Sequence, residues 1–150
     1  MQLAQLNIAR LRAPLDAPET KEFADFIDPI NKLAEESPGF VWRLTGNFGE
    51  SSARLDTPFG DHMLLVNLSV WEGLEPLKTF SYQTVHSYFV RNRSKWFERL
   101  GHPYLALWWV PEGHQPPAAE AKERLDHLIA NGPSPQAFTF ASPFGSEVAS

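Results

Sequence analysis

Five side chains in the middle of the chain have the types and spacing of a binding-pocket wall. They are Tyr82, His86, Phe89, Arg93 and Phe97, at intervals of four, three, four and four residues. Side chains at these intervals share one face if the segment is helical. His86, with an imidazole that titrates near neutral pH, would take a substrate proton, and Arg93 would hold an anion or a ring face. The alternative is a core helix in which His86 is hydrogen-bonded and Arg93 keeps its head in water.

The elements around this face are predicted from the apolar pattern. Alternating apolar and polar residues indicate strands, whereas an apolar residue every three or four positions indicates a helix. The predicted strands are 3–11, 40–45, 63–71, 104–110 and 137–140, and the predicted helices are 20–36, 74–82, 85–100 and 118–130. Pro29 should kink or restart the first helix, because proline donates no backbone hydrogen bond. Residues 46–61 have no periodicity and are predicted to be a long loop.

The order βαββαβ, followed by a helix and a short strand, predicts an α+β fold with a ferredoxin-like antiparallel sheet and helices on one face. The strands 63–71 and 104–110 are apolar on both sides. We therefore expect a partner chain to cover the second face and predict a homodimer. Trp108 and Trp109 are neighbours on a strand, so one should face the helices and the other the partner. Residues 1–150 are predicted to be one domain, with a loose tail over 141–150.

The composition argues against several functions. The net charge is −5 and the one basic run is short, so no nucleic-acid surface is expected. The absence of cysteine excludes disulfides, thiol nucleophiles and cysteine zinc sites. No apolar run approaches the roughly 18 residues that cross a bilayer, and no signal peptide is expected. We therefore expect a cytoplasmic protein without a membrane partner. The histidines show no metal-ligand spacing, so no metal is expected.

Several longer runs of the sequence resemble a known family. They are LAQLNIARL, PGFVWRL, NLSVWEGLEPLKTF, RSKWFERLGHPYLALWWVPEGH and AFTFASPF, and the resemblance covers nearly the whole chain. The family is an uncharacterised one of bacterial proteins, and it is similar to the dimeric α+β barrel superfamily. That superfamily includes the antibiotic-biosynthesis monooxygenases and the haem-degrading monooxygenases. The resemblance therefore implies a dimeric α+β barrel.

The resemblance to the cofactor-free monooxygenases implies roles for three residues. Those enzymes carry an Asn and a Trp four apart on this strand and an Arg about twenty residues on. Asn67, Trp71 and Arg91 stand at those spacings here. The implied chemistry is to hold a phenolic substrate and stabilise the anion that reacts with oxygen. The haem-degrading branch resembles this chain in an Asn on the first strand, Asn7, but His86 is displaced by about one turn from the expected helix histidine. Haem is therefore the poorer fit, and no cofactor is expected.

We therefore expect a pocket between the sheet and residues 74–100 that takes a small aromatic or polyketide-like molecule. In the enzyme hypothesis, Asn67 and Arg91 stabilise the anion, Trp71 packs against the ring and His86 is the base. The rest of the pocket wall would be Tyr82, Phe89, Arg93, Phe97 and Trp108. Residues two apart lie about 200° apart around a helix, so only one of the two arginines can face the pocket. The competing hypotheses are a binding or sensing module without turnover and a structural homodimer with no site.

Overall fold

The computed structural model describes residues 1–13, 16–44, 64–85 and 94–146. The strands are β1 (Gln2–Leu11), β2 (Phe40–Arg43), β3 (Leu64–Trp71), β4 (Phe97–Glu98) and β5 (Leu105–Val110). The α-helices are α1 (Lys21–Glu35), α2 (Leu74–Thr79) and α3 (Ala118–Asn131). A short 3-10 helix, Pro18–Thr20, precedes α1, and a π-helix, Phe80–Val85, continues α2. The predicted loop 46–61 lies outside the described residues.

Strand β1 is at the centre of an antiparallel sheet. One of its edges pairs with β3, and its other edge pairs with β5 and, at Arg10 and Leu11, with the two residues of β4. Strand β2 pairs with the far edge of β3. On the far edge of β5, Leu107 and Phe138 exchange two backbone hydrogen bonds of 2.8 Å. The long strands therefore have the order β2-β3-β1-β5, all antiparallel, which is the ferredoxin-like arrangement. The predicted fold class is confirmed.

Helix α3 covers the face of the sheet on which the even-numbered residues of β1 and β3 lie. Its apolar residues Ala121, Leu125 and Leu128 pack there, and each is at most 2% exposed. The sheet residues beneath are buried as well: Ala4, Leu6, Ile8, Val66, Leu68, Val70, Ala106, Trp108 and Val110. The expectation that this face lacks cover within the chain is therefore wrong, because α3 returns across it. The homodimer itself stays a prediction, but an uncovered apolar face no longer supports it.

The opposite face carries two separate apolar clusters. The Trp71 cluster comprises Leu3, Ala34, Trp71, Leu77, Leu107 and Phe138. The Trp96 cluster comprises Leu11, Phe23, Leu65, Trp96 and Phe97. Helix α1 contributes to both clusters, because Phe23 and Ala34 lie near its two ends. The helix has no break at Pro29, which is exposed inside it. This face is therefore covered by α1 and α2, and the buried apolar residues that the structure describes there form two clusters rather than one.

The prediction of a single helix over 85–100 is wrong from Phe97 onward. Residues 94–96 are helical, and Phe97 begins β4, where it pairs with Leu11 of β1. The rings of Trp96 and Phe97 pack against Phe23, with centroids 5.4 and 4.9 Å away. This packing on the sheet outweighs the helical pattern of the segment, since propensity is only a weak preference. The five side chains from Tyr82 to Phe97 therefore do not share one helix.

Candidate functional site

A polar row crosses the sheet between the Trp71 and Trp96 clusters. It consists of Gln5 and Asn7 on β1 and Asn67 and Ser69 on β3, with Gln5 opposite Ser69 and Asn7 opposite Asn67. Because side chains alternate along a strand, all four lie on the face that carries Trp71. Gln5 and Ser69 are 5% and 6% exposed, whereas Asn67 is exposed in the middle of a central strand. Solvent therefore reaches the row on the sheet face that α1 and α2 cover.

Hydrogen bonds fix the orientation of the polar row. The indole Nε1 of Trp71 donates to Ser69 Oγ at 2.9 Å. Gln5 Nε2 donates to the same oxygen at 2.8 Å and to Asn67 Oδ1 at 2.6 Å. An indole N–H can only donate, so Ser69 Oγ accepts from Trp71 whatever the rotation of its own hydroxyl. Trp71 therefore fixes Ser69 Oγ as an acceptor, and Gln5 Nε2 donates to the same oxygen.

Ser69 and Asn67 each have a hydrogen-bonding group that the network does not use, and both of these groups are donors. Ser69 Oγ has two lone pairs and accepts two hydrogen bonds, so its own O–H remains to donate. Asn67 presents Oδ1 to Gln5, which turns its Nδ2 away, and within the described residues no group accepts from that Nδ2. The polar row can thus donate hydrogen bonds to an acceptor, such as a carbonyl, phenolate or carboxylate oxygen.

Trp71 is a fixed part of the site because its ring is enclosed. It is 1% exposed, Phe80 stacks on it at a centroid distance of 5.3 Å, and the edge contact to Phe40 is 5.5 Å. Close aromatic contacts of this kind hold a ring in one orientation. In this arrangement Trp71 positions Ser69, and its own ring faces other aromatic residues.

Helix α1 places one polar residue on the same face. Asn31 is 8% exposed and lies between Ile27, which packs on the Trp96 cluster, and Ala34 of the Trp71 cluster. The position of Asn31 along α1 therefore corresponds to the gap between the clusters, where the polar row lies.

The structure brings together two of the predicted site residues and separates others. Asn67 and Trp71 lie on one face of β3 and are linked through Ser69 and Gln5. Trp108 is fully buried on the opposite face, where its Nε1 donates to Glu120 at 2.9 Å, so it cannot line a site with Asn67. The neighbouring Trp109 packs against the Trp71 cluster, on the face that α1 and α2 cover.

The remaining predicted site residues fall into two groups. Tyr82 is 44% exposed and contacts the ring of Phe140 at 5.5 Å, whereas Phe97 is 5% exposed inside the Trp96 cluster. The other four lie outside the described residues: His86, Phe89, Arg91 and Arg93. Their proposed roles therefore stay predictions.

Sequence reasoning did not identify Gln5 and Ser69 as site residues. The signal was present, because the middle of β1 and the middle of β3 each place two polar residues at alternate positions between apolar ones. Polar residues two apart face the same side of a strand. Two such pairs on adjacent central strands indicate a polar row rather than a packed core.

Other kinds of site find no support in the described ranges. Across residues 1–13, 16–44, 64–85 and 94–146, no three His, Asp or Glu side chains gather closely enough to hold a metal ion. Within those same ranges, no helix is long and apolar enough to cross a membrane.

The chain is similar to two solved structures and to one protein family. A protein of unknown function from Nitrosomonas europaea, NE2512, matches with a TM-score of 0.52 at 11% identity, over 77% of this chain and 94% of that one. A dabb family protein with a ferredoxin-like fold from Mesorhizobium loti matches with a TM-score of 0.46 at 16% identity, over 75% of this chain and 100% of that one. None of the curated proteins matches. Residues 2–150 match the family described as domain of unknown function DUF3291, and the chain belongs to that family.

Proposed function

We propose that the protein binds a small planar molecule at the polar row, with an acceptor oxygen of the ligand on Asn67 and Ser69. The observation that carries this proposal is the exposure of Asn67 in the middle of β3, with Nδ2 turned away from its Gln5 partner. A central strand position under helices is normally packed, and the buried Ser69 O–H beside Asn67 costs free energy unless it is paired. A ligand oxygen would pair both donors at once.

The apolar clusters on either side support a ligand with a flat apolar body. Small-molecule sites combine apolar walls with a few fixed polar groups that orient the ligand. Here the Trp71 and Trp96 clusters flank the row. The substrate class expected from the sequence, a small aromatic or polyketide-like molecule, fits this combination of walls and donors.

The test is a titration of the nitrogen-15-labelled protein with benzamide, which has a planar ring and a carbonyl acceptor. We expect shifts of the Trp71 Nε1–H and Asn67 Nδ2 signals. The variant Asn67→Asp keeps an oxygen for Gln5 but replaces the donor by an oxygen that repels the carbonyl, so binding should weaken about tenfold. The matched control is Asn131→Asp, on the exposed side of α3. Equal affinities of the two variants would refute the proposal.

A second candidate function is cofactor-independent oxygenation at the same row. It is favoured because donors held in place before the reaction stabilise a developing oxyanion better than mobile ones do. In this proposal a ring CH₂ loses a proton to His86, and Asn67 and Arg91 stabilise the resulting anion. Molecular oxygen then converts the carbon to a carbonyl, and its second oxygen atom leaves as water.

Oxygen consumption with anthrone as the probe separates an enzyme from a binding module. An enzyme would consume oxygen in proportion to anthrone, and Asn67→Asp would lower the rate. Saturable anthrone binding without oxygen consumption above a buffer blank would favour the binding or sensing module.

We also propose that the protein is a homodimer, which sedimentation equilibrium would detect.

A further inference from the structure

Arg43 lies on the same face of the sheet as the polar row because of a bulge in β2. Phe40 is opposite Trp71, but the next pairs are Trp42 with Val70 and Arg43 with Ser69. The register therefore contains one extra residue between Phe40 and Trp42. An extra residue moves the following side chains to the other face of a sheet. Without the bulge, Trp42 would lie beside Ser69 and Arg43 would face α3.

The Arg43 side chain is largely buried and has one partner. Its Nε donates to Glu35 Oε2 of α1 at 2.6 Å, and the side chain is 14% exposed. In the part of the chain that the structure describes, neither Nη nitrogen has a hydrogen-bond partner. A guanidinium offers two N–H edges, and the edge formed by Nη1 and Nη2 matches a carboxylate. Glu35 therefore fixes the orientation of the guanidinium and leaves this edge unused.

Arg43 is close enough to act on a ligand in the polar row. Residues directly opposite on antiparallel strands have Cβ atoms about 5 Å apart, and diagonal neighbours are about 7–8 Å apart. Ser69 is directly opposite Arg43, and Asn67 is its diagonal neighbour on β3. The unused groups on this side of the row are thus a hydroxyl, an amide N–H and a guanidinium edge. All of them donate.

We propose that Arg43 binds a carboxylate of the ligand, so that the protein takes planar organic anions in preference to their neutral counterparts. This inference rests on the proposed function and specifies its substrate class. The ring lies along the polar row, and the carboxylate bridges Arg43 and Ser69. Glu35 is a positioning residue, which holds the guanidinium through Nε.

The experiment compares benzoate with benzamide, which have the same ring and differ in charge. Wild-type protein should bind benzoate more tightly. Arg43→Gln should weaken benzoate binding about tenfold, the loss of a charge-assisted hydrogen bond, and change benzamide binding less than about twofold. Arg43→Lys should restore part of the difference, because lysine keeps the charge without the fork.

The matched control is Arg10→Gln. Arg10 Nε also contacts a glutamate oxygen, Glu98 Oε2, at 2.6 Å. Arg10 has an even number on β1 and so lies on the α3 side of the sheet. This variant loses an ion pair of the same type and length at a more exposed position on the other face, and both ligands should bind it as they bind the wild type.

The outcomes distinguish this inference from the proposed function. Equal binding of benzoate and benzamide, or an equal loss of both in Arg43→Gln, would overturn the role of Arg43 and leave the polar row as a neutral site. If neither compound shifts the Trp71 and Asn67 signals, both proposals fail. Thermal melts show whether Arg43→Gln is folded. If it is not, Arg43→Lys is the test: its preference for benzoate should be smaller than that of the wild type, and an unchanged preference would overturn the role of Arg43.

Discussion

Trp71 donates its indole N–H to the hydroxyl oxygen of Ser69, two residues earlier on the same strand, at 2.9 Å. This bond joins a buried aromatic cluster to the polar centre of the sheet. Because the indole can only donate, Ser69 Oγ accepts from it. Gln5 donates to the same oxygen and to Asn67 Oδ1, and so links Trp71 to Asn67. The candidate site therefore depends on a residue whose own ring is enclosed.

Ser69→Ala should destabilise the protein by about 2 kcal/mol, because it leaves buried donors of Trp71 and Gln5 without their acceptor. Chemical denaturation measures this loss. Ser94→Ala, at an exposed position, should change stability by less than about 0.5 kcal/mol. In a double-mutant cycle with Trp71→Phe, the coupling energy should be about 1 kcal/mol. A coupling energy near zero would mean that the Trp71–Ser69 bond does not contribute to stability.

Gly39→Ala should be more destabilising than Gly101→Ala, although both glycines have similar positive φ angles of +85° and +78°. A Cβ on Gly39 would overlap with the ring of Pro76 at the start of α2, whereas no heavy atom lies within 4 Å of the corresponding position at Gly101. We expect a loss of about 1 kcal/mol for Gly101→Ala from the backbone alone and about 3 kcal/mol for Gly39→Ala. Equal losses in denaturation would contradict the close contact between Gly39 and Pro76.

Glu120→Ala should destabilise the packing of α3 by about 2 kcal/mol. Its carboxylate accepts from Trp108 Nε1 at 2.9 Å and contacts His114 Nε2 at 2.8 Å, and Trp108 is fully buried. Removing the acceptor leaves a buried indole N–H unpaired. Glu120→Gln keeps one oxygen and should lose less. Glu123→Ala, one turn along α3 and exposed, is the control and should stay within about 0.5 kcal/mol.

Leu125→Ala tests whether α3 covers the sheet in solution. Leu125 is 2% exposed, so the truncation should cost about 3 kcal/mol in denaturation experiments. Ile129 is on the same helix but 42% exposed, and Ile129→Ala should cost less than about 0.5 kcal/mol. A small loss for Leu125→Ala would indicate that α3 is not packed and that another surface covers this face.

Most of the fold could be predicted from the sequence, because the long strands and α1 carry strong periodic patterns. Strand β3 was predicted as 63–71 and is observed as Leu64–Trp71, and α3 was predicted as 118–130 and is observed as Ala118–Asn131. The error at Phe97 has a tertiary cause. Aromatic residues at helical intervals also suit a short strand when a neighbouring surface, here Phe23 and Leu11, buries them.

The candidate site could be predicted only in part. Asn67 and Trp71 were identified through family resemblance, and strand alternation alone places them on one face. The pairing of Gln5 with Ser69 needed the strand register, which is a long-range property. The position of Arg43 depends on the bulge in β2, and the alternation in the sequence does not reveal a single extra residue.

The most direct test of the central claim is a crystal structure of the protein with benzamide. We expect the benzamide carbonyl oxygen within hydrogen-bond distance of both Asn67 Nδ2 and Ser69 Oγ, with Gln5 still donating to Asn67 Oδ1. A structure in which side chains of the protein itself fill the polar row, or in which benzamide binds only elsewhere, would contradict it.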